Sequence, residues 1–308
     1  MDRCSGILKY CAIALLWACS APVAAGPDAA AADAPIAGDA KDTADSPQDL
    51  PAADVQDARA EIAVPDVTVA DVDECLSSLE GPVVYGVVVD KGGLIIAKSP
   101  VLACTPTICL AALTDHLGRF AIGTTELPAD FALKLPEDAS ELPHIAEWMH
   151  PVHFEGNGIV AVGALHRLEL LPPLAMDGPK DVTQTFELGA GLALIARRTD
   201  LQIPLAAAHD DQLAVCAAPL DFAPPFLGLG SEKVIAVYSL SPFGTLSDTP
   251  IGVKWATKLP AGTQIKLRTI GQLSGILSPP MLATSDGTAA TTAAGNGIVE
   301  LSWLIVSL

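Results

Sequence analysis

The stretch Val83-Val84-Tyr85-Gly86-Val87-Val88-Val89, closed by Asp90-Lys91-Gly92-Gly93, decides the fold class. Five β-branched valines and a tyrosine in seven residues favour a pleated backbone, where branched side chains pack well. Asp followed by two glycines is turn chemistry. Outward from it the same pattern repeats. Short apolar runs at 94–97, Val101-Leu102-Ala103 and 108–113 follow, and Asp115 and Gly118 are placed for a hairpin turn before Phe120-Ala121-Ile122. Phe131-Ala132-Leu133-Lys134-Leu135 extends the series, and Gly158-Ile159-Val160-Ala161-Val162-Gly163 with His166-Arg167-Leu168-Glu169-Leu170 reads as its closing strands.

A second block gives the same signal beyond Val182. Val234-Ile235-Ala236-Val237-Tyr238, Gly252-Val253-Lys254-Trp255-Ala256 and Gln264-Ile265-Lys266-Leu267-Arg268 read as strands, the last alternating as a half-exposed strand does. The run Ile298-Val299-Glu300-Leu301-Ser302-Trp303-Leu304-Ile305-Val306 is about half the length of a membrane helix, so it predicts a buried strand. The expectation is an all-β protein with two β-sandwich domains, over residues 75–173 and 182–308. Half of the chain is hydrophobic but only 5% is aromatic, so the cores must rest on Val, Leu, Ile and Ala.

Within the first block, Val87-x-x-Asp90 with Gly93, then Thr114-Asp115-x-x-Gly118-x-Phe120-x-Ile122 and Leu127-Pro128, resembles the carboxypeptidase regulatory-like (transthyretin-like) β-sandwich. That resemblance implies an accessory module that carries none of the catalytic residues of the peptidases it accompanies.

The first 25 residues read as an export signal. Arg3 and Lys9 precede the apolar run Cys11-Ala12-Ile13-Ala14-Leu15-Leu16-Trp17-Ala18, which is too short to span a bilayer. Leu16-Trp17-Ala18-Cys19 resembles the bacterial lipobox, which makes residues 1–18 the signal peptide and Cys19 the acylated residue. By the same resemblance, Ser20 after it favours the outer membrane. Cleavage after Val23-Ala24-Ala25, with simple secretion, is the competing reading. Residues 19–74 read as a disordered Ala/Asp/Pro-rich linker. Its portion from 26 to 74 holds thirteen of the chain's acidic residues against Lys41 and Arg59. Such a composition cannot bury enough apolar area to offset its ordering entropy, and as a flexible coil it spans roughly 40 Å. The formal net charge of −19 excludes nucleic acid as a partner, because phosphate binding needs clustered Lys and Arg.

Four of the seven cysteines, Cys75, Cys104, Cys109 and Cys216, fall outside the signal and anchor. An oxidising compartment would let them pair. Cys104 and Cys109 flank the turn-like Thr105-Pro106-Thr107-Ile108, which makes a local bridge the preferred pairing and leaves Cys75 with Cys216. The short CxxC spacing of thiolate zinc sites is absent.

For chemistry, the richest segment holds His144, Glu147, His150 and His153, with Glu155 beyond. Imidazole and carboxylate suit zinc or copper, and a helix would put Glu147 on a face with either His144 or His150. Pro143 and Pro151 argue instead for a connector. HExxH and GxSxG are missing, and Gly189-Ala190-Gly191 lacks both the third glycine and the helix of a phosphate site. His209-Asp210-Asp211 has no serine elbow to serve. Trp148, Trp255 and Trp303 read as core residues before they read as a carbohydrate platform. The sequence therefore predicts no catalytic residues and no cofactor. It predicts a non-enzymatic cell-surface lipoprotein that meets the membrane through its lipid and binds an envelope protein or extracellular ligand. A metal-binding envelope protein and a cryptic hydrolase accessory protein are the alternatives.

Overall fold

The computed structural model describes residues 79, 81–138, 143–156, 158–204, 211–223, 229–271 and 275–308. The expected signal, the lipid site Cys19, the linker, Cys75, His209 and Asp210 lie outside the described residues. The described part is all-β, with two short 3-10 turns at Arg198–Asp200 and Leu220–Phe222. No described helix is long and apolar enough to cross a membrane.

The first block contributes seven strands: β1 (Val83–Asp90), β2 (Pro100–Cys104), β3 (Cys109–Leu113), β4 (Arg119–Gly123), β5 (Asp130–Leu135), β6 (Trp148–His153) and β7 (Ile159–Arg167). They form a three-stranded sheet ordered β4-β1-β7 and a four-stranded sheet ordered β3-β2-β5-β6. Strand β1 is continuously apolar because it is central: Val84 and Val88 enter the main core, and Val83 and Tyr85 pack on Leu79 and Ala121. The opposing sheet supplies Val101, Ala103, Phe131, Leu133 and Leu135 to the same main core. Gly86 sits where β7 shifts register against β1. A Cβ there would meet the Gly163 carbonyl at 2.7 Å and Val162 at 2.9 Å.

The turns form as their chemistry dictates. Asp90 Oδ1 accepts the Gly92 and Leu94 N–H groups at 2.8 and 2.9 Å. Asp115 accepts those of Leu117 and Arg119, and Gly118 takes the left-handed conformation at φ 69°. Two expectations need correction. Residues 94–97 make one isolated bridge, Val89 to Ile95, because Leu94 is 70% exposed and has no sheet to cover it. The turn at 115–118 does not close a hairpin, for β3 and β4 belong to different sheets and the chain crosses between them there.

The second block contributes β8 (Leu174–Ala175), β9 (Gln184–Gly189), β10 (Leu192–Ala196), β11 (Leu201–Gln202), β12 (Gln212–Ala218), β13 (Val234–Ser241), β14 (Thr245–Ala256), β15 (Gln264–Thr269), β16 (Met281–Ser285), β17 (Ala289–Thr292), β18 (Ile298–Leu301) and β19 (Trp303–Ser307). They form one twelve-stranded sheet, with a main path ordered β8-β12-β13-β19-β15-β16-β17-β14-β10-β9 and with β11 and β18 also on β14. The sheet is nearly closed, with β9 coming back beside β8 and β12. Its inner face holds a second core that includes Leu194, Val215, Leu240, Val253, Ile265 and Leu304. Gly189-Ala190-Gly191 is the β9–β10 hairpin turn, with all three residues at positive φ.

The nine-residue run at 298–306 is two strands rather than one. It bends at Ser302, so that β18 pairs β14 while β19 pairs β13 and β15. Every residue of β19 is buried. Leu304 and Val306 point into the second core, whereas Trp303 and Ile305 point into the core shared with the first block. Strands β12 and β13 divide their side chains in the same way: Leu213 and Val215 against Ala214 and Cys216, Tyr238 and Leu240 against Val237. Sheet membership changes between residues 167 and 174, close to the sequence boundary, but the main core runs across that boundary.

Two substitutions test this wall and the β1 register. Trp303→Ala should cost about 3–5 kcal/mol of unfolding free energy in urea titration, the range for emptying a buried aromatic site. Gly86→Ala should cost about 1–3 kcal/mol, because the obstructing atom is backbone and cannot swing aside. A Trp303→Ala loss below 1 kcal/mol would deny that the wall carries two cores.

Candidate functional site: a buried acid cluster at the seam

A buried lysine and its carboxyl partner enter the main core where the first block meets the β13–β19 wall. Strand β5 is Phe131-Ala132-Leu133-Lys134-Leu135, and its lysine is as buried as its neighbours. Lys134 Nζ lies 3.3 Å from Glu147 Oε1, with side chains only 6% and 10% exposed. The contact is one of charge rather than alignment, for Oε1 has no hydrogen-bond partner of acceptable geometry among the described residues. Nζ is also 5.8 Å from the centre of the Phe243 ring.

Backbone and side chains lace the seam. The Glu147 carbonyl accepts Ser239 Oγ–H at 3.0 Å and Trp303 Nε1–H at 2.9 Å, so one peptide of the first block is held by two strands of the wall. Glu137 accepts Ser241 Oγ–H at 2.5 Å and the Phe243 N–H at 2.9 Å. The Glu137 backbone N–H lies on the side of the Glu147 carboxyl and favours its charged form. Lys134 thus pairs with Glu147, while the Glu137 carboxylate, fixed by the wall, acts on Glu147 through its charge. Burial pushes the Glu147 carboxyl up to about 7, with Lys134 opposing and Glu137 reinforcing the shift. Trp148 crosses Trp303 edge to face at 4.8 Å and tilts against His166, which stacks on Phe222 at 3.8 Å. Burial holds His166 below the usual imidazole range, and its Nδ1 and Trp148 Nε1 both lack partners among the described residues.

A contrasting cluster shows what saturation looks like. Glu232 accepts from Arg268 through Nε and Nη2, from Lys266 and from Ser307, and these hydrogen bonds hold its carboxyl down at about 2. Every lone pair there has a donor, so the cluster is a fastener.

The histidine segment is a strand and its approach, not a helix, and this separates the expected ligands. His144 precedes β6 and its carbonyl accepts the Leu170 N–H at 2.8 Å. Glu147 is committed to Lys134. His150 stands opposite Leu133 in the β5–β6 register, three residues from His153 and therefore on the other face of β6. His153 Nδ1 lies 2.7 Å from Asp130 Oδ1 at the exposed end of the strand, and Glu155 is exposed beyond it. Among the described residues, no group of three or more His, Cys, Asp or Glu is arranged to hold a metal ion. Trp148 and Trp303 are core, and Trp255 donates to Tyr238 at 2.7 Å at the edge of the second core. Of the cysteines, Cys104 and Cys109 are bridged with Cα atoms 4.1 Å apart. Cys216 is a buried thiol, pushed up to about 11 by that burial. Lys134 and Glu137 escaped the reading of the sequence. The available signal was a lysine interrupting an apolar strand.

Comparison with known protein families matches none of them, and no curated protein matches the sequence. What the seam can do chemically follows from its own groups. It holds a carboxyl that titrates near neutrality, an amine in contact with it, and a second carboxylate fixed alongside.

His150 gives the site a measurable acid response. Burial holds its imidazole down at about 4, against an ordinary 6.5. The unfolded chain therefore binds the proton first, so the stability His150 contributes is present above pH 6.5 and is lost as pH falls toward 4. Urea unfolding of wild type and His150→Phe should diverge across that window, wild type losing about 1–3 kcal/mol more. Parallel curves would remove His150 as the source. The difference between the two proteins isolates His150 from the opposite slope of a free Glu147 carboxyl.

Proposed function

We infer that this chain is a non-enzymatic, lipid-anchored envelope protein that presents a rigid β scaffold for binding an extracellular ligand or envelope partner. The observation that carries the reading is the Cys104–Cys109 bridge closing the β2–β3 hairpin, since disulfides persist in oxidising, exported compartments. It agrees with the signal-like N-terminus, the lipobox-like Leu16-Trp17-Ala18-Cys19 and the acidic spacer. The three- and four-stranded sheets of the first block support the resemblance to the carboxypeptidase regulatory-like module, whose role beside its peptidases is accessory. The anchor at Cys19 then fixes the molecule to the outer membrane, and the spacer sets its reach.

Metabolic labelling with palmitate in a bacterial host tests the anchor. Label should enter the full chain and vanish in Cys19→Ser; an unlabelled protein, or label retained in that variant, rejects it. Alkylation of the denatured, unreduced protein tests the compartment. Cys104 and Cys109 should escape the reagent, and their modification in protein from the envelope would contradict export into an oxidising space.

A further inference from the structure

The seam holds a buried ion pair, Lys134 with Glu147, and the charge of Glu137 acts on that Glu147 carboxyl. A buried ammonium–carboxylate contact offsets its desolvation only when further hydrogen bonds satisfy the remaining protons and lone pairs. The contact between Lys134 and Glu147 falls short of that, because Oε1 has no aligned donor although Nζ stands 3.3 Å away. The surroundings are aromatic, with Phe243 beside Nζ and the Trp148–Trp303 pair flanking the Glu147 peptide. Glu137, whose charge acts on Glu147, is fixed in place by Ser241 and the Phe243 N–H of the wall.

We propose that Lys134 and Glu147 condense to an amide, an intramolecular isopeptide bond joining β5 to the residue before β6, with Glu137 as proton carrier. The Glu147 carbonyl carbon lies one bond behind Oε1, so the nitrogen is held beside its electrophile with little left to order. Burial keeps the Glu147 carboxyl towards its neutral form, which accepts a nucleophile where a carboxylate does not. The Lys134 ammonium gives one proton to the Glu137 carboxylate, and the neutral amine adds to Cδ of Glu147. The backbone N–H of Glu137, on the side of that carboxyl, stabilises the oxygen that gains negative charge. A second proton passes from nitrogen through Glu137 to the departing hydroxyl. The C–O bond breaks, one water leaves, one N–H stays on the amide and one proton stays with Glu137. The reaction needs no oxidant or cofactor, and it replaces the buried Lys134 charge by a neutral amide.

Other lysine–glutamate contacts show why this pair differs. Lys91 and Glu169 approach to 2.7 Å, but they are 65% and 44% exposed, so water competes for both. Lys266 meets Glu232 at 3.1 Å, but Arg268 and Ser307 keep that carboxylate saturated and charged. Lys254 and Glu187, at 3.8 Å, are exposed as well, so among the described lysine–glutamate pairs Lys134 alone faces a buried, under-bonded carboxyl.

Intact mass of the purified full chain, reduced and denatured, gives the test. The wild type should weigh less than its processed sequence, any lipid on Cys19 included, by one water, about 18 Da, and proteolysis should yield one branched peptide holding Lys134 and Glu147. Lys134→Arg and Glu147→Ala should both have the mass of their sequences. Glu137→Gln should keep its strand content by circular dichroism and leave most of the molecules uncondensed. A wild type at sequence mass, or Lys134 and Glu147 recovered in separate linear peptides, overturns the bond whether or not the variants fold. Full condensation in Glu137→Gln overturns the role of Glu137.

Discussion

The structure depends on a wall of three strands, β12, β13 and β19, that must be apolar on both faces. An antiparallel sheet with one wet side alternates apolar and polar residues. This wall has no wet side, because the curled sheet fills the space behind it and the β5–β6 layer packs in front. Trp303-Leu304-Ile305-Val306 therefore sends successive side chains into different cores. Each fully buried aliphatic or aromatic side chain is worth about 1.5–3 kcal/mol. One strand thus stabilises two cores, and a single change in it is felt in both.

Such a wall raises a difficulty of its own. Apolar contact is non-directional, so it does not by itself fix how one layer docks on another. The direction comes from a few polar groups. Ser239 and Trp303 reach from the wall to one carbonyl, that of Glu147, and Ser241 and the Phe243 N–H reach to Glu137. A shift of one residue would point these donors away from the seam, since side chains alternate along a strand. Buried donors without acceptors cost about 1–3 kcal/mol each, so the seam penalises misdocking more than it rewards docking. That arrangement spends its donors on Glu137 and on the Glu147 backbone, and leaves the Glu147 carboxyl buried beside Lys134 with Oε1 unpartnered among the described residues.

The fold was legible in the sequence to the extent that local chemistry decides it. The valines of β1, the Asp90 and Asp115 turns and the alternation in Gln264-Ile265-Lys266-Leu267-Arg268 were readable because each depends on neighbours in the chain. Residues 94–97 were misread because an apolar run forms a strand only where another strand accepts it. The break at Ser302 was hidden for a similar reason. Its neighbours are apolar on both sides, and the pairing that splits them involves β13 and β14, some fifty residues away. The Cys104–Cys109 bridge was legible from a turn between close cysteines. The seam was not, because Lys134, Glu137 and Glu147 come together only when β5, β6 and the wall meet. The histidines nearby drew attention instead, and strand geometry sends His150 and His153 to opposite faces.

The same geometry bears on the cysteines. The Cys104–Cys109 bridge closes a loop of only five residues' separation, so its chain-entropy contribution is about 2 kcal/mol. That is local reinforcement of a hairpin whose strand β3 lies at a sheet edge, where unpaired backbone groups invite foreign strands. Global stability rests elsewhere, on the wall. Cys216 belongs to the wall and is 5% exposed, its sulfur turned toward the shared core. Burial raises its thiol well above the range in which thiolate forms readily, and thiolate is the species that exchanges. A sulfur that paired with it would have to enter the main core during folding, before β12 and β13 closed against the first block. A clasp of that kind would be set by the order in which the layers assemble. The bridge at the β3 edge can form whenever its hairpin does.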